Sequence, residues 1–292
     1  MAIAGSTGFI GSELVRALEA RGDDVVRIVR PGAHVHGIEW EPERRRIDAA
    51  ALEGVDAVVN LAGATVGKRW TAARKRMVRD SRVLGTRTIA AAIAEMKAKP
   101  RILVNASAIG YYGDRGTQML DETSGPGRGF MSDVSQRWEA ETVVAADAGV
   151  RVVPIRTGLV LDPSGGLLKQ MLPFFKMGFG GRLGDGTQYM SWIARDDEVG
   201  AIEHVLDGGV SGAVNLTAPN PVTNLEFTRA LAGALGRPAF LVVPLLGLSV
   251  VYGRELTADL LVSQRVMPRT LVSDGYRFRH PDLDQAFRSM LT

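Results

Sequence analysis

Cysteine is absent from this 292-residue sequence. Its absence excludes disulfide bonds, thiolate nucleophiles and cysteine-ligated metal sites together. Histidine is also scarce, and of the four histidines only His34 and His36 lie close to each other. Two histidines do not complete a tetrahedral metal site. We therefore expect no bound metal.

Long apolar runs and a dominant charge are missing as well. The longest apolar run, 239–251, is broken by Pro244 and Gly247 and is too short to span a bilayer. The formal net charge is only +3, and the densest basic run, Arg44–Arg46, is flanked by acidic residues, as in a solvated turn. Because the first strand runs directly into a glycine turn, we expect no signal peptide. We expect a cytoplasmic protein without nucleic-acid or membrane partners.

The apolar content of 46% and the charged content of 23% are typical of a globular protein. Predicted strands alternate with helices, which indicates an α/β fold. We predict a Rossmann-type doubly wound parallel sheet of about seven strands and a smaller mixed α+β C-terminal domain. Residues 1–157, rejoined by about 190–217, form the first domain. Residues 158–189 and 218–292 form a small substrate-side domain.

Several element predictions depend on apolar periodicity alone. A long helix over 71–97 should bury Val78, Leu84, Ile89, Ile93 and Met96. Helices are also predicted over 131–148 and 247–264, and a short strand over 189–193. Residues 213–216 should return to the main sheet.

A glycine turn between the first strand and the first helix organises the chain. It comprises Gly5, Ser6, Thr7, Gly8, Phe9, Ile10 and Gly11. Strand, glycine turn and helix in this order form the context of a dinucleotide-binding site. The first glycine allows the tight turn, the second a close approach of the backbone to a pyrophosphate, and the third helix packing. We expect the whole turn to contact the cofactor.

The end of the second predicted strand, 25–29, indicates which dinucleotide binds. In this fold the adenosine ribose lies there, and a carboxylate would bind the free 2′-hydroxyl of NAD. Arg30 occupies that position and could grip a 2′-phosphate. We therefore expect NADP(H) in preference to NAD(H); the alternative is that Arg30 only faces water.

Motifs in order along nearly the whole chain carry a family resemblance. They are the glycine turn, Asn60–Gly63, Arg69–Trp70, Ser81–Arg82, Tyr111–Gly113, Trp138–Ala140, Arg156–Leu161 and Asn215–Glu226. The sequence resembles the atypical extended short-chain dehydrogenase/reductases known as the NAD-dependent epimerase family, which have a small uncharacterised C-terminal domain. The resemblance implies cofactor contacts from Leu61, Ala62, Gly63, Arg82, Ser107 and Gly158. Relatives carry a histidine where this chain has Ala194, so no role of that histidine transfers.

The proton-transfer pair of the superfamily, Tyr-x-x-x-Lys, is absent: no tyrosine of this chain is followed by lysine four residues later. Ser107, at the carboxyl end of a predicted strand, and Tyr111, on the loop that follows, remain as candidate catalytic residues. Tyr112 is an alternative proton donor, and both tyrosines could instead form an aromatic wall. Tyr111 and Arg115 match the spacing by accident, since they lie on a loop.

Two functions stay open. The first is an NADP(H)-dependent oxidoreductase or nucleotide-sugar epimerase with an unusual proton donor. The second is a non-catalytic NADP(H)-binding sensor or partner-binding protein. The sequence identifies no small-molecule substrate, and it is compatible with a monomer or a homodimer.

Overall fold

The structure, a computed structural model, describes residues 1–291. The strands are β1 (Ala2–Ala4), β2 (Val26–Val29), β3 (Ile38–Glu41), β4 (Arg46–Ile47), β5 (Ala57–Asn60), β6 (Ile102–Ala108), β7 (Met119–Leu120), β8 (Arg151–Thr157), β9 (Leu159–Asp162), β10 (Gly181–Leu183), β11 (Tyr189–Met190), β12 (Trp192–Ala194), β13 (Val214–Leu216), β14 (Val222–Thr223), β15 (Leu241–Val243) and β16 (Arg265–Val266). The helices are α1 (Gly11–Arg21), α2 (Ala72–Glu95), α3 (Phe130–Ala140), α4 (Val143–Asp147), α5 (Gly166–Lys176), α6 (Arg195–Asp207), α7 (Asn224–Ala234), α8 (Leu245–Tyr252), α9 (Arg254–Asp259), α10 (Arg269–Ser273) and α11 (Leu283–Leu291).

Eight strands form the main sheet, in the order β13-β8-β6-β5-β1-β2-β3-β4. The first seven in this order are mutually parallel, and β4 adds antiparallel to β3 at the edge. The predicted Rossmann-type parallel sheet is thus confirmed, with one antiparallel strand in addition. The predicted return of the chain to this sheet near 213–216 is also confirmed, because β13 pairs with β8.

Helices cover both faces of this sheet, which explains why its central strands β1 and β5 are almost entirely apolar. Side chains alternate between faces along a strand, so Ile3 packs in one core cluster and its neighbours Ala2 and Ala4 in the other. The first cluster includes residues of α1 and α6, and the second includes Ile89 and Ile93 of α2. Each such buried aliphatic side chain contributes about 1.5–3 kcal/mol.

The long helix expected over 71–97 is α2, whose first N–H groups are capped by Thr71. Four of its five predicted inward residues are buried, whereas Leu84 is only half-buried. Glycine takes the inward position beside it: a Cβ on Gly85 would lie 3.2 Å from the Trp40 ring. The indole of Trp40 thus packs against α2 at Gly85.

Three predicted elements are wrong in extent. The helix over 131–148 is divided into α3 and α4, and the helix over 247–264 is divided at Gly253 into α8 and α9 and ends at Asp259. Gly253 has φ of 83°, a left-handed conformation that cannot continue a helix. The strand over 189–193 is two strands with different partners, since β11 pairs with β14 and β12 with β9. Local periodicity does not record such changes of partner.

The C-terminal region has its own apolar cluster, which includes Trp192, Phe227 and Phe287. Helix α7 begins with a capping box, in which Thr223 and Glu226 satisfy each other's backbone N–H groups. Strand β16 pairs with β7, so the late part of the chain is tied to the segment that follows β6.

Candidate functional site

The glycine turn lies between β1 and α1 and packs directly on the segment after β5. Gly5 has φ of 80°, and a Cβ there would lie 2.8 Å from the carbonyl carbon of Leu61 and 2.9 Å from the nitrogen of Ala62. Any other residue at this position would be strained and would also clash with backbone. The structure therefore brings together the glycine turn and Leu61–Gly63, as the sequence predicts.

The other two glycines differ in what surrounds them. A Cβ on Gly11 would lie 2.2 Å from the carbonyl oxygen of Gly5, so glycine is needed for α1 to begin against the turn. A Cβ on Gly8 would meet only that same oxygen, at 3.1 Å, and Gly8 is exposed. In the part of the chain that the structure describes, the N–H groups of Phe9 and Ile10 have no acceptor. Exposed backbone donors at a helix start suit an anion such as a phosphate.

Two residues of the turn point inward. Ser6 is buried, and the ring of Phe9 lies against the glycines before α5, since a Cβ on Gly165 would be 2.4 Å from it. The guanidinium carbon of Arg195 lies 5.2 Å from the centroid of the same ring. Phe9 thus connects the turn to the segment that follows β9.

Arg30 leaves the end of β2 and turns toward β3. Its guanidinium forms a 2.5 Å ion pair with Glu43 and lies 5.6 Å from the Trp40 ring centroid. The hydrogen bond from Arg30 is the largest cause that lowers the pKa of the Glu43 carboxyl. The Arg30 side chain is about half exposed (48%), and its ion-pair partner Glu43 is a surface carboxylate. Another anion can therefore replace Glu43 at the guanidinium.

Arg82 of α2 lies under the segment after β5. It donates hydrogen bonds to the carbonyl oxygens of Ala64 (3.0 Å) and Val78 (3.1 Å), and its guanidinium is 5.0 Å from the Trp138 ring centroid. A Cβ on Gly63 would lie 3.2 Å from that guanidinium. Burial lowers the pKa of Arg82 to about 10, and its Nε is buried without a partner. Arg82 therefore supports the Leu61–Gly63 segment from below.

The carboxyl ends of β6 and β8 are joined by a buried polar network. The hydroxyl of Ser107, which is only 4% exposed, donates to Oε1 of Glu139 at 2.5 Å. Both oxygens of Glu139 accept from Arg156 at 2.9 Å. Burial opposes the charge of Arg156, but the bonds to Glu139 outweigh it and the pKa of the guanidinium is raised. The Ser107 hydroxyl is therefore already hydrogen-bonded to another side chain of the protein.

The two tyrosines after β6 have different surroundings. Tyr112 is fully buried, and its hydroxyl accepts from Arg156 at 3.0 Å and donates to Asn215 at 2.7 Å. Burial raises the pKa of Tyr112 to about 12. Tyr111 is half-buried, its ring centroid lies 3.5 Å from the guanidinium carbon of Arg156, and its hydroxyl has no partner within residues 1–291. Only Tyr111 has a hydroxyl that is free to act on another molecule.

Helix α3 turns one face toward the carboxyl end of β6. Residues four apart share a helix face, and Glu139 on this face reaches β6. The two preceding positions on the face are Met131 and Ser135. A Cβ on Gly110 would lie 3.1 Å from the Cβ of Met131, and the Ser135 hydroxyl is buried without a partner. Neither side chain titrates near neutral pH.

Sequence reasoning missed a buried acid beside this network. Glu198 of α6 is fully buried and accepts a hydrogen bond from Thr157 at 2.7 Å. Burial raises the pKa of its carboxyl to about 8, although the bond from Thr157 acts in the opposite direction. The signal was available, since Glu198 has the same helical spacing as the inward residues Ile202 and Val205.

Two surface depressions lie outside the glycine turn. One, of about 580 Å³, lies between β3, β4 and α2 and includes Pro31, Trp40 and Arg87. The other, of about 470 Å³, includes Tyr111 and Glu139. The glycine turn lines neither of them. The first depression is next to Arg30, because Pro31 lines it. The second depression is lined by Tyr111, whose hydroxyl has no partner within residues 1–291.

Two known family patterns match this chain, one over its first part and one near its C-terminus. The sequence pattern of the NAD dependent epimerase/dehydratase family matches residues 1–216, and a domain of unknown function (DUF1731) matches residues 243–290. An epimerase family protein of Mycobacterium tuberculosis is 44% identical over 289 residues, which are 98% of this chain and 95% of that protein.

Two solved structures are similar over nearly the whole chain. The human epimerase family protein SDR39U1, crystallised with NADPH, is 34% identical with a TM-score of 0.90, over 99% of this chain and 98% of that chain. A nucleoside-diphosphate sugar epimerase from Corynebacterium glutamicum is 36% identical with a TM-score of 0.80, over 99% of this chain and 57% of that chain.

Proposed function

The chain belongs to the NAD dependent epimerase/dehydratase family, and from this premise we propose that it binds NADP(H) along the carboxyl edge of the main sheet. The observation that carries the proposal is the open glycine turn. Gly8 leaves a space that a Cβ would fill, and unpaired backbone N–H groups border this space at the start of α1. These features fit a pyrophosphate, which needs close backbone and unpaired donors.

The residues that hold the cofactor in this proposal follow the carboxyl edge of the sheet. They are Gly5–Gly11, Arg30, Leu61, Ala62, Gly63, Arg82, Ser107 and Gly158. The glycine turn holds the pyrophosphate, and Leu61–Gly63 line the adenosine side. Arg82 and Ser107 act mainly by fixing the backbone and side chains around the cofactor, because both are bonded to the protein. Gly158 follows β8 at the same edge.

The preference for NADP(H) depends on Arg30 in this proposal. A 2′-phosphate competes with Glu43 for the guanidinium, and a doubly charged phosphate is the stronger partner. The similarity to a human protein crystallised with NADPH supports the same choice.

When bound, NADP(H) supplies or accepts a hydride. The chain's own contribution is then a proton at the reacting oxygen, and Tyr111 is the candidate donor because its hydroxyl is free while that of Tyr112 is bonded. Ser107 holds Glu139 and thereby the Arg156 cation beneath the Tyr111 ring. The protein acts in this reading as an oxidoreductase or a nucleotide-sugar epimerase without the usual tyrosine–lysine pair.

A second candidate function is a sensor or partner-binding protein that binds NADP(H) without turnover. The inward face of α3 favours it, since Met131 and Ser135 provide no acid or base where the superfamily has both. Single-turnover mixing separates the two, with carbonyl compounds added to the NADPH complex and nucleotide sugars added to the NADP complex. Loss of NADPH absorbance in the first case, or its appearance in the second, that Tyr111→Phe abolishes would establish the enzyme, and no change in either case favours the sensor.

Titration of the protein with NADPH, NADP, NADH and NAD, followed by calorimetry, tests the binding proposal. Gly8→Ala should weaken NADPH binding at least about tenfold, because its methyl group fills the space at the turn. The matched control is Gly125→Ala, since a Cβ there meets nothing within 4 Å. Equal affinity of both variants, or no binding of any nucleotide to the unmodified protein, would refute the proposal.

A further inference from the structure

The apolar run that is too short to cross a bilayer is exposed in the folded protein. Strand β15 and helix α8 lie within it, and α8 has no buried residue. Phe240 is 78% exposed, Leu246 85% and Val250 75%. A strongly apolar segment that the fold does not bury calls for another explanation than core packing.

A second segment extends this surface. Strand β10 pairs in parallel with β15, so the chain that follows α5 lies beside the run. We name the combined surface the apolar crest and define it by seven exposed residues. They are Phe174, Met177, Phe179, Phe240, Leu246, Val250 and Val251. The crest residues lie in α5 and α8 and beside the ends of β10 and β15, and no residue of α8 is buried.

The stretches of chain around the apolar crest are basic, although acids such as Asp185 and Glu255 border them. Residues 163–184 and 227–254 contain three basic residues each and no Asp or Glu. Residues 57–79 contain six basic residues, again without an acid. This third segment meets the crest where Arg69 donates to the carbonyl oxygen of Val250 at 3.3 Å. Glu255, which follows α8, is neutralised by Lys75 at 2.8 Å.

We propose that the apolar crest docks on an anionic phospholipid surface. Exposed aromatic and aliphatic side chains inserted among headgroups, with cations beside them, are the features of interfacial binding. A second copy fits less well, since a symmetric contact would set these cations against themselves. The expectation of no membrane partner rested on the length needed to span, which interfacial docking does not require.

Vesicle co-sedimentation of the full chain tests this proposal. Binding is expected to vesicles of phosphatidylcholine with phosphatidylglycerol, to be much weaker to phosphatidylcholine alone, and to fall as salt increases. The double variant Leu246→Asp/Val250→Asp should lose at least about tenfold in binding. The matched control, Val272→Asp, changes an exposed valine of α10 outside the crest and should bind normally.

Charge variants provide a second measurement. Arg237→Gln and Arg254→Gln should each weaken vesicle binding about fivefold, while circular dichroism stays unchanged. Failure of the unmodified chain to bind anionic vesicles, or full binding by the double Asp variant, would overturn the proposal. So would light scattering that shows a dimer which the double Asp variant converts to a monomer, since a second copy would then cover the crest.

Discussion

At β1 the carboxyl edge of the sheet is open backbone, whereas at β6 and β8 it is closed by side chains bonded to one another. The first end keeps glycines and unpaired N–H groups. At the second end, Ser107, Glu139, Arg156 and Tyr112 satisfy one another. In this fold, the groups proposed to bind the cofactor are therefore separate from the groups proposed to react. A cofactor site depends on backbone geometry, and chemistry depends on side chains that remain free.

Breaking the closed end should have the largest effect. Glu139→Ala leaves the Arg156 guanidinium buried without its carboxylate, and we expect a loss of about 3–5 kcal/mol in the free energy of unfolding. Urea denaturation measures it. Glu141→Ala is the control: it removes the more exposed ion pair with Arg87 close by and should cost less than about 1 kcal/mol. Similar losses in both variants would contradict the assigned structural role.

The buried acid beside the network should make stability depend on pH. The pKa of Glu198 is about 8 in the folded protein, above its ordinary value of 4.5. The folded state therefore binds the proton more tightly, and this contribution to stability is lost as pH rises toward the folded pKa. The expected slope is up to about 1.4 kcal/mol per pH unit.

Glu198→Gln imitates the protonated acid and should remove this slope. Urea denaturation of both proteins between about pH 5 and pH 8 should show the variant gaining on the unmodified chain as pH rises. The bond from Thr157 is kept, because the amide oxygen still accepts it. Parallel stability curves would mean that Glu198 ionises normally in the folded protein.

A substitution at the open end should change the preference between NADPH and NADH. It should leave the free energy of unfolding nearly unchanged. Arg30→Asp replaces a phosphate partner by a repelling charge, and NADPH affinity should fall about hundredfold. NADH affinity, the internal control, should change little. Calorimetric titration with both nucleotides gives the ratio. An unchanged ratio would show that Arg30 does not contact a 2′-phosphate.

Glu43→Gln tests the same role of Arg30 through an expected increase in NADPH affinity. The variant releases Arg30 from its ion pair, so NADPH affinity should rise about two- to fivefold, the value of a surface pair. Weaker NADPH binding in this variant would mean that Glu43 positions Arg30 rather than competing for it.

Stability measurements should separate the two tyrosines. Tyr112→Phe removes one buried hydrogen-bond partner from Arg156 and one from Asn215 and should cost about 1–3 kcal/mol. Tyr111→Phe removes a hydroxyl without partners and should stay within about 0.5 kcal/mol. Thermal melts of the two variants measure the difference. A costly Tyr111→Phe would show that its hydroxyl serves the fold.

Much of the fold could be predicted because it depends on local pattern. Buried parallel strands and amphipathic helices mark themselves by periodicity, and the turn at Gly5 by its glycine spacing. The extent of α8 could not, since one left-handed glycine, Gly253, ends a helix whose apolar pattern continues. The division of 189–193 into two strands depends on distant partners that periodicity does not contain.

The candidate site likewise has a part that the sequence predicts and a part that it does not. The residues at the open end could be predicted as cofactor contacts because the pattern that indicates this role lies in adjacent positions; their role stays a prediction. The assignments of Glu139 and Arg156 to one ion pair, and of Ser107 to that pair, arise only when β6, α3 and β8 assemble. The catalytic assignment of Ser107 and Tyr111 stays a prediction, with the free hydroxyl on Tyr111 as its support.

The placement of β13 has a consequence for synthesis of the protein. Its partner β8 ends at Thr157, but β13 begins only at Val214. On a ribosome that adds about 5–20 residues per second, the outer edge of β8 waits roughly 3–11 s for its neighbour. An unpaired strand edge is a template for wrong pairing. Nascent chains that stall within this interval should therefore depend most on chaperones.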